Sequence, residues 1–173
     1  TNTQAFYLAD QTTDGIQELY AVNLDGTGNT KLNPALAGQF VRSFKLSPNE
    51  GKIVYVAEQD VDNDFELYSV NINGTGNVKL NGALVAGGDI EYMSTGINSR
   101  YQFYISPDSS RVVYMADQDI DEKNELYAVN MDGSGRVKLN PLLPANGDVN
   151  STGIIFSPNS AKVLFSADAT TDN

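Results

Sequence analysis

The sequence predicts an all-β fold in which a four-stranded antiparallel sheet is repeated about three times along 173 residues. Two markers carry this prediction. The tripeptide Glu-Leu-Tyr occurs at 18–20, 66–68 and 125–127, and Lys-Leu-Asn begins 13 residues after the glutamate of each copy. Because both markers recur with the same steps of 48 and 59 residues, we infer a structural repeat of about fifty residues.

The strands within one repeat follow from a hydrophobic alternation with a period of two, which is typical of half-buried β strands. Turns that contain Gly, Pro, Asn or Asp separate the alternating segments. In the third repeat we predict strands A, B, C and D at Gln102–Ser106, Arg111–Ala116, Glu125–Met131 and near Val137–Leu139. The other repeats match this pattern, and the prediction includes no helix.

Four short strands per repeat are typical of a β-propeller, whose blades are twisted antiparallel sheets packed face to face around an axis. The predicted strand order is B-C-D, A-B-C-D, A-B-C-D and A-B. The blade repeats are predicted at about 5–40, 41–99, 100–150 and a partial 151–173, so that 1–173 forms one propeller segment. A β-sandwich is the alternative, although a sandwich does not require markers in a fixed order.

Two segments carry a family resemblance. Phe44–Asn73 contains Lys-Leu-Ser-Pro-Asn-Glu-Gly-Lys-Ile-Val-Tyr-Val-Ala and then Glu-Leu-Tyr-Ser-Val-Asn-Ile-Asn-Gly, and Ser106–Gly133 repeats this pattern. The pattern resembles the repeat of TolB-like propeller proteins. The resemblance implies six blades and a periplasmic or secreted location. Similar blades occur in the propellers of prolyl-oligopeptidase-like peptidases, so the resemblance indicates the fold better than the function.

Three blades are too few for a closed ring, because closed propellers have about four to eight. The first repeat lacks strand A, and the segment from Gly153 to Ala167 supplies an A and a B strand without C and D. Unpaired sheet edges favour pairing with another chain. We therefore expect a homodimer that completes a six-bladed ring, and the alternative is that the sequence is part of a longer chain.

The composition argues against several functional classes. The sequence has no histidine and no cysteine, and it has no Gly-x-Ser-x-Gly motif, so it cannot supply a serine-peptidase or cysteine-peptidase triad by itself. A net charge of -11 repels phosphate backbones, so we expect no nucleic acid partner. No apolar stretch approaches the roughly 18 residues of a membrane span, so we expect no membrane insertion.

Carboxylates alternate in two of the predicted loops between strands B and C. Because Ca²⁺ prefers six to eight oxygen ligands, these residues are candidate calcium ligands, although no cofactor is required. A solvated acidic loop is the simpler interpretation, since neither loop has the glycine of an EF-hand. The candidates are Asp60, Asp62, Asp64, Asp117, Asp119 and Asp121.

The connections from strand D to the next strand A are expected at the same end of the blades as the acidic loops. Together they predict a negative surface that favours a basic peptide or protein. Arg42 and Arg100 lie at the start of predicted innermost strands, where they could hold a carboxylate or pair with a neighbouring acid. The connection residues proposed to bind a ligand are Asp89, Glu91, Tyr92 and Asp148.

These observations predict a non-catalytic binding scaffold with a protein or peptide partner. The enzymatic alternative is the accessory propeller of a hydrolase or peptidase, or a calcium-dependent propeller enzyme. A third possibility is an assembly unit without a ligand. The tyrosines of the Glu-Leu-Tyr marker recur in every repeat, so we interpret them as packing residues.

Overall fold

A computed structural model describes residues 3–93 and 100–169 of the chain. In this part all regular elements are β strands paired antiparallel. No helix in the described residues is long and apolar enough to cross a membrane. The strands are β1 (Gln4–Ala9), β2 (Glu18–Asn23), β3 (Thr30–Lys31), β4 (Val41–Leu46), β5 (Lys52–Ala57), β6 (Glu66–Asn71), β7 (Val78–Lys79), β8 (Tyr92–Met93), β9 (Arg100–Tyr101), β10 (Phe103–Ile105), β11 (Arg111–Ala116), β12 (Glu125–Asn130), β13 (Val137–Lys138), β14 (Ile155–Phe156) and β15 (Val163–Leu164).

The first compact unit, residues 1–79, contains two sheets. Their strand orders are β1-β2-β3 and β4-β5-β6-β7, which confirms the predicted B-C-D and A-B-C-D patterns. Apolar side chains from both sheets form one core, in which Leu19 and Ala21 of β2 lie with Tyr55, Tyr68 and Val70 of the second sheet. The two sheets are therefore packed face to face, as blades require.

The second compact unit, residues 80–173, contains the four-stranded sheet β10-β11-β12-β13 and the two-stranded sheet β14-β15. These confirm the predicted A-B-C-D and A-B patterns. Their shared core includes Val113, Met115 and Leu126 from the larger sheet, against which Phe156 and Val163 pack. A short hairpin, β8-β9, is an element that the sequence did not predict.

The hairpin β8-β9 is inserted at a bulge in strand A. In the first unit Val41 pairs with Ala57 and Ser43 pairs with Val56, so that Arg42 is the extra residue of a β-bulge. In the second unit Ile90 bridges to Ala116 in the same way. Pairing with β11 resumes only after the hairpin, where Gln102 accepts the backbone N–H of Met115. The extra segment is therefore long in one blade and a single residue in the other.

The Glu-Leu-Tyr marker stabilises each blade through a buried network. In the third repeat the Tyr127 hydroxyl donates to Glu125 at 2.9 Å, and the Lys138 ammonium lies 2.8 Å from the same carboxylate. Tyr127 also stacks on Tyr114 of the neighbouring strand, with ring centroids 5.4 Å apart. Burial, followed by the Glu125 carboxylate, raises the pKa of Tyr127 far above its ordinary value. The stacking contact thus joins two strands of one sheet.

The same network occurs in the other repeats. Glu18 is paired with Lys31 and accepts the hydroxyl of Tyr20, and Glu66 is paired in the same way. In the first and third repeats, the asparagine of the Lys-Leu-Asn marker bonds to the leucine of the Glu-Leu-Tyr marker. The Asn33 side chain accepts the backbone N–H of Leu19, and the Asn140 side chain accepts that of Leu126, both at 2.8 Å. The two markers recur together because they bond to each other.

Candidate functional site

The loops between strands B and C contact the connections that enter strand A in both units, so the two lie at the same end of these blades, as the sequence predicts. In the first unit the Glu58 carboxylate accepts the backbone N–H groups of Gln39 and Phe40 at 2.8 and 3.0 Å. In the second unit the Asp117 carboxylate accepts the N–H groups of Asp89 and Glu122. In these two loops the first carboxylate therefore holds the loop against the neighbouring connection.

The charges of two carboxylates from other segments of the second unit act on Glu91. Glu91 follows the bridge residue Ile90, Asp117 begins an acidic loop, and Asp148 lies in the next connection. Burial raises the pKa of Glu91, and the charges of Asp117 and Asp148 raise it further, while a hydrogen bond from Asn124 opposes the shift. We call Glu91, Asp117 and Asp148 the acidic cluster.

Hydrogen bonds hold Lys123 and Asn124 in the segment next to Asp148. The Lys123 ammonium is buried and donates to the backbone carbonyls of Leu143 and Pro144 at 3.1 and 2.7 Å. The backbone N–H of Asn124 donates to Asp148 at 2.8 Å. The buried side-chain oxygen of Asn124 has no hydrogen-bond partner. Residues 123 and 124 are therefore bonded both to the 143–144 carbonyls and to Asp148.

The predicted calcium ligands have different partners in the structure. Asp60 and Asp119 lie 3.4 and 2.6 Å from the marker lysines Lys79 and Lys138. Asp117 accepts the backbone bonds described above, and Asp64 is half-buried. Within residues 3–93 and 100–169, no three carboxylate side chains are grouped so that they could hold a metal ion.

The remaining two predicted ligands take corresponding positions in their loops. Asp62 lies beside Gly38 and Asp121 lies beside Gly87, and at both glycines a Cβ atom would meet the carboxylate closer than 3.0 Å. Both aspartates are exposed. Calcium binding by these loops stays a prediction.

The other candidate residues are distributed over both units. The Arg42 guanidinium lies over the Phe40 ring, 3.8 Å from its centroid, and 5.2 Å from that of Phe65, which is cation–π geometry. Arg100 is exposed on β9. Tyr92 on β8 is 49% exposed although its ring packs 5.0 Å from that of Tyr101. The aromatic surface of Tyr92 is therefore available to a ligand.

Sequence reasoning treated Arg42 and Glu91 as separate candidates, but they occupy the same place in their blades. Each follows the apolar residue, Val41 or Ile90, that pairs with the end of strand B. Asn124 is not among the candidates predicted from the sequence. Its contacts to Glu91 and Asp148 link the two connections in which those residues lie. The available signal was its position immediately before a Glu-Leu-Tyr marker.

No protein-family model and no curated protein matches the sequence. Solved structures do match the fold. The putative TolB from Agrobacterium tumefaciens superposes with a TM-score of 0.52 at 15% identity, over 79% of this chain and 44% of that chain. The chain has a TolB-like β-propeller fold. The sheets described above are accordingly propeller blades, about three per chain.

Two enzymes contain similar blades. The tricorn protease matches 95% of this chain with 14% of its own, at a TM-score of 0.62 and 13% identity. An oligogalacturonate lyase solved in complex with manganese matches 79% of this chain with 34% of its own, at a TM-score of 0.51 and 15% identity. This chain spans less than half the length of each of these three structures, and at such identities the likeness concerns the fold alone.

Proposed function

We propose that this chain is a non-catalytic binding scaffold that presents an acidic loop surface to a basic peptide or protein. The acidic cluster carries the proposal. The charges of Asp117 and Asp148 act on Glu91. Hydrogen bonds connect the segments that carry these residues, since Asp117 accepts the backbone N–H of Asp89, and Asn124 bonds to both Glu91 and Asp148. A concentrated negative field attracts cationic side chains and orients them.

The proposal includes three further features of the molecule. The working form is a homodimer, since two chains of about three blades provide the six that the TolB resemblance implies. The location is periplasmic or secreted, as that resemblance also implies. Tyr92 would add aromatic contact area beside the cluster, because its ring is half-exposed and follows Glu91 directly.

Binding of hexalysine at low salt, measured by calorimetry, tests the proposal. We expect E91Q to weaken binding about two- to fivefold, the effect of one partly exposed charge. D25N is the matched control, since it removes one negative charge from an exposed hairpin turn and the second repeat has Asn73 at the same position. Equal weakening by both variants would mean that net charge, and not the acidic cluster, determines binding.

The second candidate function is the accessory propeller of a hydrolase or peptidase. The match of 95% of this chain to a segment of the tricorn protease favours it. It predicts that the chain associates with a separate catalytic domain and alters the turnover of that domain. Binding of hexalysine that E91Q and D25N leave unchanged, together with such an effect on turnover, would favour this second candidate.

A further inference from the structure

Two aliphatic side chains are exposed at the loop end of the second unit. Ile120 lies in the loop between β11 and β12 and is 53% exposed. Leu142 lies in the connection after β13 and is 94% exposed, more than any other large apolar side chain among the described residues. Apolar surface is more stable when it is removed from water, so such side chains favour a partner that covers them. We call Ile120 and Leu142 the apolar pair.

The two segments that carry the apolar pair are joined by Lys123. Its backbone N–H donates to the carbonyl oxygen of Ile120 at 3.2 Å. Its ammonium donates to the carbonyl oxygen of Leu143, the residue after Leu142, at 3.1 Å. Lys123 is buried, so water does not compete for these bonds. One lysine therefore connects the loop to the connection, and the apolar pair lies on neighbouring segments.

The aliphatic position of the loop recurs in the first unit. Asp60-Val61-Asp62 corresponds to Asp119-Ile120-Asp121, because each begins six residues before a marker glutamate. Val61 is 47% exposed. Two residues later each loop has a residue with positive φ, Asn63 at 66° and Glu122 at 59°. Both loops therefore turn at the same place and leave an aliphatic side chain exposed between two aspartates.

Carboxylates flank Ile120 in the sequence of its loop. Asp119 is paired with Lys138. Asp121 and Glu122 are exposed, and within residues 3–93 and 100–169 neither takes part in a salt bridge. An aliphatic contact bordered by charges has the arrangement of a protein interface, in which an apolar centre lies inside a polar rim. The negative charges favour a cationic partner. A partner with basic and aliphatic residues close together fits both properties.

We propose that the acidic loop surface of the second unit binds an extended peptide in which basic residues alternate with large aliphatic residues. Leucines two residues apart project from the same side of an extended chain, about 7 Å from each other, and cover the apolar pair. The lysines between them have long, flexible side chains, whose ammonium groups reach the exposed carboxylates beside the contact. The inference rests on the proposed function and specifies the composition of the partner.

Two pentapeptides of equal charge test the proposal. The affinities of Lys-Leu-Lys-Leu-Lys, the leucine peptide, and Lys-Ser-Lys-Ser-Lys, the serine peptide, are measured by calorimetry in about 150 mM NaCl, where screening reduces the contribution of charge alone. We expect the leucine peptide to bind at least about fivefold more tightly, because only its side chains bury the apolar pair.

Single substitutions of the apolar pair locate the contact. I120S and L142S should each weaken binding of the leucine peptide about three- to tenfold, because each removes an exposed aliphatic surface. Neither substitution changes a charge, so both should leave the affinity for the serine peptide unaltered. Both positions are exposed, and unchanged melting temperatures would show that the variants fold like the parent chain.

V137S is the matched control for I120S. Val137 lies in the same unit, is also β-branched and is 51% exposed, nearly as much as Ile120. It belongs to β13, the strand at the edge of the four-stranded sheet, and not to the loops. We therefore expect V137S to leave the affinities for both pentapeptides unchanged. If V137S weakened binding of the leucine peptide as much as I120S does, the contact would be nonspecific and the proposal would be wrong.

Three further outcomes contradict the inference and separate it from the proposed function. Equal affinities for the two pentapeptides, with hexalysine binding that E91Q weakens more than D25N does, would overturn the inference and leave the proposed function standing. Equal affinities together with binding to phosphatidylcholine vesicles that I120S abolishes would assign the apolar pair to a lipid surface. Absence of binding by hexalysine and by both pentapeptides would contradict the inference and the proposed function together.

Discussion

Glu91 occupies a position where an ionised carboxylate is unfavourable for stability. Its carboxyl group is half-buried and lies near two other negative charges, both of which disfavour ionisation. At the same bulge position the first unit has Arg42, which packs on aromatic rings. The repeat therefore varies this one residue in charge while it keeps the strand pairing of the residue before it.

We predict that E91Q stabilises the protein at neutral pH and has no effect in acid. The pKa of Glu91 is raised in the folded state, so the folded protein binds its proton more tightly than the unfolded chain. Ionising Glu91 in the folded state costs free energy of unfolding. This cost is absent when the pH is below 4.5, the ordinary pKa of a glutamate, and grows as the pH rises above that value. Glutamine removes that cost. Thermal unfolding between about pH 4 and pH 8 should show the two melting temperatures separating as the pH rises. A constant difference would contradict this origin.

At the scale of elements, the strands followed from the sequence because each is determined locally. Alternating apolar residues and Gly or Pro turns predicted β11, β12 and their pairing, and the bonded Glu and Lys markers predicted the repeat. The hairpin β8-β9 could not be predicted, because it inserts at a bulge and has no marker of its own. Convergence of the acidic cluster depends on where this insertion begins, so only the general location of the cluster was predictable.

The connection into the last blade depends on a glycine for spatial reasons. A Cβ atom at Gly147 would lie 2.4 Å from the backbone carbonyl oxygen of Asp168 and 2.8 Å from the Pro144 ring. We expect G147A to reduce the free energy of unfolding by about 1–3 kcal/mol, because the connection must move. Urea unfolding measures the change.

G51A is the control for G147A, since a Cβ atom there would meet only the Asn49 side chain, at 3.3 Å. That side chain accepts hydrogen bonds from Ser47 and Gly51, but at 3.3 Å it needs to move by only a few tenths of an ångström. G51A should therefore change the free energy of unfolding by less than about 0.5 kcal/mol. If the two variants were equally destabilised, loss of glycine flexibility, and not the contact with Asp168, would be the cause.

At the scale of the whole molecule, the net charge is -11, and the carboxylates differ in how they are neutralised. The marker glutamates, buried in every repeat, are neutralised by lysines of the same blade. Among the loop carboxylates, Asp60 and Asp119 also lie beside these lysines, whereas Glu58 and Asp117 accept backbone N–H groups and Glu91 is affected by neighbouring negative charges. Self-repulsion is therefore concentrated at the loops, where salt should relieve it.

The calcium prediction can be decided against this background of general screening. We expect about 1 mM CaCl2 and about 1 mM MgCl2, each in about 150 mM NaCl, to give equal melting temperatures, because Asp60 and Asp119 are paired with lysines and Asp117 holds backbone N–H groups. A calcium site with a dissociation constant near 10 µM would add about 2.7 kcal/mol at that concentration. This corresponds to a rise of roughly 5–11 °C specific to calcium. Such a rise, lost in D121N, would show that the loops rearrange to bind the ion.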